Sequence, residues 1–277
     1  MSGMMMDPFD ALAARPGGAL ALLIDARGGF PRKPGAAMAL WPDGGRVGRL
    51  GAGCIDADIA TYLEAGQPVI HLTYGQGGPV DLPLPCGGSV RIALIRRPDA
   101  DFLAQVAQAR RDRRSRRWHV DLTTGAVRAD DPRDPGLYPD GFVLQLTPPP
   151  ALHVHGEGDE STALAALCRG LSLPLHMGSD QPRPDPYSAV VTLFHDHDRE
   201  LPALIAGLNS PAFYVGALGS RRAQLARQSA LSQAGVDARD LVRLRGPIGV
   251  IAPVRDPRLL ASSVLTEVLD AYEKAFG

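Results

Sequence analysis

Four short stretches hold residue types whose spacing could do chemistry. Tyr214–Arg222 reads YVGALGSRR, an apolar run that ends in Gly216 and Gly219 before Ser220 and the paired Arg221 and Arg222. Serine is a strong helix N-cap, and a guanidinium fork can hold a phosphate through two hydrogen bonds. The spacing predicts an anion-binding turn; the plain structural reading is a capped helix with solvated arginines. His155–Ser161 reads HGEGDES, close to G-x-G-x-x-G, with Gly156 and Gly158 in place and Ser161 in the third slot. Such glycines permit a tight turn and let a helix N-terminus face a phosphate. Glu157 and Asp159 put negative charge beside that position, and the next strand, PLHMGSD, reaches an acid only at Asp180. Both features count against NAD(P), and the structural reading is a tight turn with Asp159 capping the helix.

The third stretch, FHDHDRE (194–200), gathers His195, Asp196, His197, Asp198 and Glu200. No third histidine or HExxH-type helical spacing accompanies it, so a metal is not the favoured reading. A ligand-facing role for His195 and Asp196 at a strand end is. The fourth is a pair of glycine-rich turns, GRLGAGCIDADI (48–59) and LPLPCGGSVRI (82–92). Cys54 follows Gly51 and Gly53, and Cys86 precedes Gly87 and Gly88. Small neighbours leave room around sulfur, a helix start favours the thiolate, and thiolates are soft-metal ligands. Lone cysteines are also ordinary small core residues, which is the reading for Cys168 on the apolar face of a helix.

These stretches need elements to position them. ALALLID, AAMALW, VIHLTY and VRIALI read as strands, with a short helix from the Cys54 turn to Gly66. A helix over 101–114 and strands at RWHVDL and FVLQL follow. Six arginines in the eight positions 110–117 read as a solvated basic flank, or as a surface for an acidic partner. Pro148–Pro150 marks a domain boundary. Beyond it ALHVHG, YSAVVTLF and AFYVGAL alternate with helical segments, and Leu260, Val264, Val268 and Tyr272 recur at i+4 in the last. That alternation predicts a mostly parallel sheet covered on both faces.

The composition is that of a globular chain: 277 residues, 45% hydrophobic and 21% charged. A formal net charge of -1 argues against a general nucleic-acid binder. No stretch approaches the roughly 18 apolar residues of a membrane span, and the N-terminus lacks the basic and apolar regions of a signal peptide. Three scattered cysteines without a CxxC read as reduced thiols. A cytoplasmic protein is expected.

Taken in order over nearly the whole chain, the segments resemble the XdhC/CoxI family, accessory proteins of xanthine dehydrogenase and related molybdenum hydroxylases. The resemblance is carried by PRKPGAAMAL, GRLGAGCIDADI, LPLPCGGSVRIALI, FHDHD, YVGALGSRR with its helix, and PIG before the final helix. It implies an N-terminal mixed α+β, XdhC/CoxI-like domain over 1–147 and a C-terminal Rossmann-like parallel-sheet domain over 151–277. It also implies a non-catalytic accessory role: binding the molybdenum cofactor, supporting its sulfuration with sulfur from a cysteine desulfurase, and inserting it into a molybdenum hydroxylase. Homo-oligomers are possible. By resemblance Cys54 binds the cofactor and faces its molybdenum, with Gly53 in the same turn and Cys86 second. Gly156, Gly158, His195, Asp196, Gly219, Ser220, Arg221 and Arg222 complete the expected set. The rival readings are an NAD(P)-dependent oxidoreductase, resting on Gly156 and Gly158, and a Rossmann scaffold that recognises only protein partners.

Overall fold

A computed structural model describes residues 6–51, 53–76, 84, 87–194, 196–251 and 253–277, apart from the side chains of His197 and Asp198. Cys86 and His195 therefore lie outside the described residues. The chain forms two compact units that divide between Thr147 and Pro148.

In the first unit a five-stranded antiparallel sheet has the order β3-β2-β1-β5-β4. Its strands are β1 (Ala19–Arg27), β2 (Ala37–Leu40), β3 (Arg46–Gly48), β4 (Val69–Gly75) and β5 (Ser89–Ile95). The central strand β1 is apolar on both sides because both its faces are covered. Leu20, Leu22 and Ile24 join a core with Phe102, Trp118 and Phe142, while Ala21 and Leu23 join another with Met38, Ile55 and Ile59. Helices α1 (Pro8–Ala14), α2 (Gly53–Thr61) and α3 (Ala100–Arg111) supply part of that cover. Asp7 caps α1 by accepting from the Phe9 amide at 2.8 Å, and Pro8 occupies the first turn, where its missing N–H costs nothing. A second antiparallel sheet, of order β7-β6-β9-β8, comprises β6 (Arg116–Val120), β7 (Val127–Ala129), β8 (Gly136–Tyr138) and β9 (Gly141–Leu146).

In the Gly87–Gly88 pair that follows Cys86, Gly87 takes the left-handed φ of 65 and Gly88 is required by packing. A Cβ on Gly88 would lie 1.9 Å from the Arg27 carbonyl oxygen, which is backbone and has nowhere to move. Gly88→Ala is therefore expected to destabilise the first unit by about 3 kcal/mol, the upper end of overpacking costs. Urea unfolding checks this; a variant within about 0.5 kcal/mol of wild type would mean that the strand end relaxes freely.

The second unit is a parallel sheet of order β11-β10-β12-β13-β14, formed by β10 (Ala151–Gly156), β11 (Leu175–Met177), β12 (Ser188–Leu193), β13 (Tyr214–Ala217) and β14 (Leu244–Arg245). The strand order reverses between β10 and β12, the switch point where open α/β sheets collect ligands. Its helices are α4 (Asp159–Gly170), α5 (His197–Leu208), α6 (Arg221–Gln233), α7 (Ala238–Leu241) and α8 (Pro257–Phe276). Helices α4 and α8 cover one face, packing Leu164, Cys168, Val264 and Val268 with Leu152, Val154 and Val191. Helices α5 and α6 cover part of the other, where Leu204, Leu208 and Leu231 meet Val190, Val215 and Ala217.

Cover on both faces is thus achieved only in part. Between β11 and β12 the chain runs as GSDQPRPDPY, and three alternating prolines exclude a helix there. On the α5 side the sheet beside β10 and β11 is consequently faced by side chains of another kind. The register pairs His176 with His153 and His153 with Val190, so the histidines point to the α5 face. Leu152 and Val154, alternating with them, point to α4 and α8.

Candidate functional site

The carboxyl edge of the parallel sheet presents three adjacent turns, after β10, β12 and β13. The β13 turn has the capped-helix geometry expected of YVGALGSRR. Ser220 is the N-cap of α6, its hydroxyl accepting from the Ala223 amide at 3.2 Å. Gly219 takes φ 146, and a Cβ there would come within 3.1 Å of Ala223. Gly219, Ser220, Arg221 and Arg222 are all exposed, and the first turn of α6 holds no acid. Two arginines at a helix N-terminus oppose the helix dipole, an arrangement that favours a bound anion.

Beneath the turn lies a buried ion pair that the sequence reading missed. Arg227 Nε donates to Glu200 Oε1 at 2.7 Å and its Nη2 to Glu200 Oε2 at 3.1 Å, with both side chains wholly buried. Nη2 also donates to the Leu218 carbonyl at 2.7 Å, and Nη1 to Gln224 Oε1 at 2.7 Å. The pair thus fixes the backbone immediately before Gly219 to the first turn of α5. Its signal in the sequence is a polar core stripe on α6: Gln224, Arg227 and Leu231 are its buried residues. Glu200, which the sequence offers as one of several metal-tempting residues, is instead the partner of Arg227. Among the described residues no cluster of three or more His, Cys, Asp or Glu side chains is placed to hold a metal ion.

At the β10 turn Gly156 and Gly158 adopt φ 152 and 99. A Cβ on Gly156 would lie 2.8 Å from the Leu193 carbonyl oxygen, so the glycine is needed for strand approach. The N-cap of α4 is Gly158, which has no side-chain cap; Asp159 is the first helical residue, not the cap anticipated from sequence. Glu157 is drawn across to Arg199, at 2.6 Å, and that guanidinium holds its carboxyl below the usual range. Asp196 is exposed at the end of β12. Gly156, Gly158, Asp196 and the Gly219–Arg222 turn therefore share one sheet edge. Gly53 and Cys54 belong to the first unit.

Below this edge a groove of about 940 Å³ runs between α5, the proline-rich loop and the histidines of β10. His153 is 2% exposed, and its Nδ1 lies 3.1 Å from Gln181 Oε1. Its ring centroid is 4.6 Å from that of His176. Burial, with the neighbouring His176 charge, pushes His153 down to about 4, and burial lowers His155 as well. Folded values below the ordinary 6.5 mean that the unfolded chain binds more protons, so stability is full above about 6.5 and is lost as pH falls towards 4. Asp131 and Asp256, held at about 2 by Arg133 and Arg258, lose their contributions only at lower pH. The urea midpoint should fall between about pH 7 and 4.5, and less steeply in His153→Asn and His155→Asn. A slope unchanged by both replacements would trace the effect elsewhere.

In the first unit Cys54 is an exposed free thiol, the second residue of α2. The preceding turn is held by Asp56, a buried carboxylate that accepts from the Leu50 amide at 3.2 Å and the Gly51 amide at 3.0 Å. Among the described residues nothing lies within 4 Å of a Cβ built on Gly53. Tyr74 donates to Asp58 Oδ2 at 2.8 Å and ties β4 to the same helix. Three of the six arginines of the basic flank are paired with acids: Arg110 with Asp7 and Asp10, Arg116 with Asp130, and Arg117 with Asp134. Cys168 is buried in the core, where burial raises its thiol to about 11. No described helix is long and apolar enough to cross a membrane.

Comparison with known proteins places these features in context. Residues 11–75 match the family described as XdhC and CoxI, and residues 152–268 match the XdhC Rossmann domain. The chain is 31% identical over 270 residues to the Escherichia coli molybdenum cofactor insertion chaperone PaoD, covering 94% of this chain and 85% of PaoD. It is 25% identical over 264 residues to the uncharacterized Escherichia coli protein YqeB, 44% of whose length it spans. A crystal structure of a Bacillus halodurans chain described as a xanthine dehydrogenase superposes with a TM-score of 0.75, covering 96% of this chain and 95% of that one at 18% identity. That likeness shows a shared fold.

Proposed function

The chain belongs to the XdhC and CoxI family, and from that premise we propose that it is a molybdenum-cofactor chaperone. It binds the cofactor as cargo, supports its sulfuration, and inserts it into a molybdenum hydroxylase such as xanthine dehydrogenase. The observation that carries this reading is the likeness to an insertion chaperone along 94% of the chain. The sulfur donor would be a cysteine desulfurase and the compartment the cytoplasm.

Each unit, taken by itself, carries a turn whose residue types suit such a cargo. The Gly219–Arg222 turn offers backbone amides and two exposed guanidinium groups to a phosphate, and Gly156 and Gly158 shape the neighbouring turn. The exposed Cys54 thiol suits a soft metal centre. Asp56 positions that thiol by fixing the turn, and no proton transfer is required of either unit.

Cys54→Ala should therefore lower the pterin retained by the purified protein severalfold while leaving the urea midpoint in place, because the thiol is exposed. Unchanged retention in a folded variant would remove Cys54 from the site. The role itself is tested by reconstituting an apo-molybdenum hydroxylase with released cofactor, in the presence and absence of this protein. Faster recovery of activity with the protein supports the proposal, and equal recovery contradicts it.

A further inference from the structure

The first unit has a second concave surface, which neither cargo turn uses. A groove of about 700 Å³ lies beside the outer edge of β3, the outermost strand of the five-stranded sheet. Its lining is largely apolar, with Phe9, Ala37, Val47 and Leu146 packed in or against the core of that unit.

The backbone of the edge is available for pairing. The Trp41 amide donates to the Gly45 carbonyl at 2.9 Å, so these two residues form a bonded pair. Bonded and non-bonded pairs alternate along an antiparallel ladder. Val47 therefore bonds to Ala39, while Arg46 and Gly48 stand in non-bonded pairs with Leu40 and Met38. The amides of Arg46 and Gly48 and the Arg46 carbonyl point away from β2, and both residues line the groove.

Charge says what such an edge accepts. From residue 31 to residue 49 the chain holds Arg32, Lys33, Arg46 and Arg49 against a single acid, Asp43, which is taken by Arg15 at 2.5 Å. Arg32, Arg46 and Arg49 line the groove and are exposed, and none has an ion-pair partner among the described residues. The other two charges in the lining, Asp7 and Arg110, meet each other at 2.6 Å. A chain whose net charge is -1 thus concentrates three unpaired arginines along one sheet edge.

We propose that this edge docks an acidic, extended segment of a partner protein, which adds to β3 as a further strand. The outward backbone groups continue the ladder, the apolar lining takes alternate side chains of the segment, and the arginines meet its carboxylates. A second copy of this chain is the poorer occupant. Pairing β3 with its own counterpart sets arginines against arginines, and like charges across a ladder are destabilising. Charges that only guard an edge need no apolar trough beside them. Such docking is independent of the cargo sites.

The test is fluorescence anisotropy of a labelled octapeptide of alternating valine and glutamate, titrated with the full chain at low salt. Binding with a Kd below about 1 mM is expected. The double variant Arg46→Glu, Arg49→Glu should weaken it about tenfold or more and instead bind the matching valine–lysine peptide, which the wild type ignores. Both side chains are exposed, so the variant should keep its urea midpoint. N-methylation of one set of alternate amides in the valine–glutamate peptide should weaken binding about fivefold or more, and of the other set little, because a strand bonds to its neighbour through one set only. If the double variant unfolds, the two N-methylated peptides decide alone. No binding at about 1 mM, equal binding of the glutamate and lysine peptides, or indifference to both N-methylations overturns the inference. Displacement of the peptide by an equal concentration of inorganic phosphate marks a simple anion site, and a dimer that the double variant dissolves marks a second copy as the occupant; either result also overturns it.

Discussion

Glu200→Leu and Arg227→Met should each destabilise the second unit by about 3–5 kcal/mol, and the double variant should recover most of that loss. Each single replacement strands one charge among wholly buried atoms, with no water to solvate it. Removing both leaves an apolar pair of similar volume beneath β12 and β13, which buried sites tolerate well. Urea unfolding of the four proteins forms a double-mutant cycle, and a coupling of several kcal/mol is expected because the groups touch at 2.7 Å. Additive losses would mean that the pair contributes nothing as a pair. The cycle also separates stability from function. In the double variant the fold is restored but the Leu218 carbonyl has lost its Arg227 donor. The Gly219 turn is then less firmly held, so cargo binding should stay weakened after stability returns.

Arg221→Ala combined with Arg222→Ala should have the second large effect, on binding and not on folding. Each charge-assisted hydrogen bond to a phosphate is worth about 1.5–3 kcal/mol, so loss of both weakens retention by about a hundredfold or more. Stability should remain within about 0.5 kcal/mol or rise slightly, since both side chains are exposed and their charges oppose the α6 dipole. The binding loss should shrink as salt rises, because screening weakens the wild-type contacts too. Equal loss at all salt concentrations, or a lowered urea midpoint, would indicate local misfolding and not a missing anion contact.

Much of this architecture was legible because its signals are local. The buried runs ALALLID and YSAVVTLF became β1 and β12, and the i+4 ladder of Leu260, Val264 and Val268 became α8. Ser220 before two arginines read correctly as a cap. The short helix after Cys54 ends at Thr61, earlier than the glycine at 66 implied, and the chain then reaches Gly66 through turns. Helix α1 was missed because seven residues give too little periodicity, although Asp7–Pro8 was a cap signal in plain view.

What the sequence withheld depends on contacts between distant residues. Nothing local says that Glu200 and Arg227, 27 positions apart, share one buried site. Nor does HVH in a strand announce a groove: that needs the absence of a helix after β11, which places bare sheet beside those histidines. The three prolines of QPRPDP held this information, since they exclude a helix, but only the strand order shows which face they leave open. The Gly88 requirement likewise appears only when β5 is paired with β1 and Arg27 comes alongside.

The protein is proposed to carry the cofactor, and the most direct measurement is its molybdenum and pterin content after purification from a host that makes the cofactor. The predicted result is pterin in near-stoichiometric amount, reduced in Cys54→Ala and nearly abolished in the Arg221→Ala, Arg222→Ala double variant. Pterin-free protein, even after incubation with released cofactor, would contradict it.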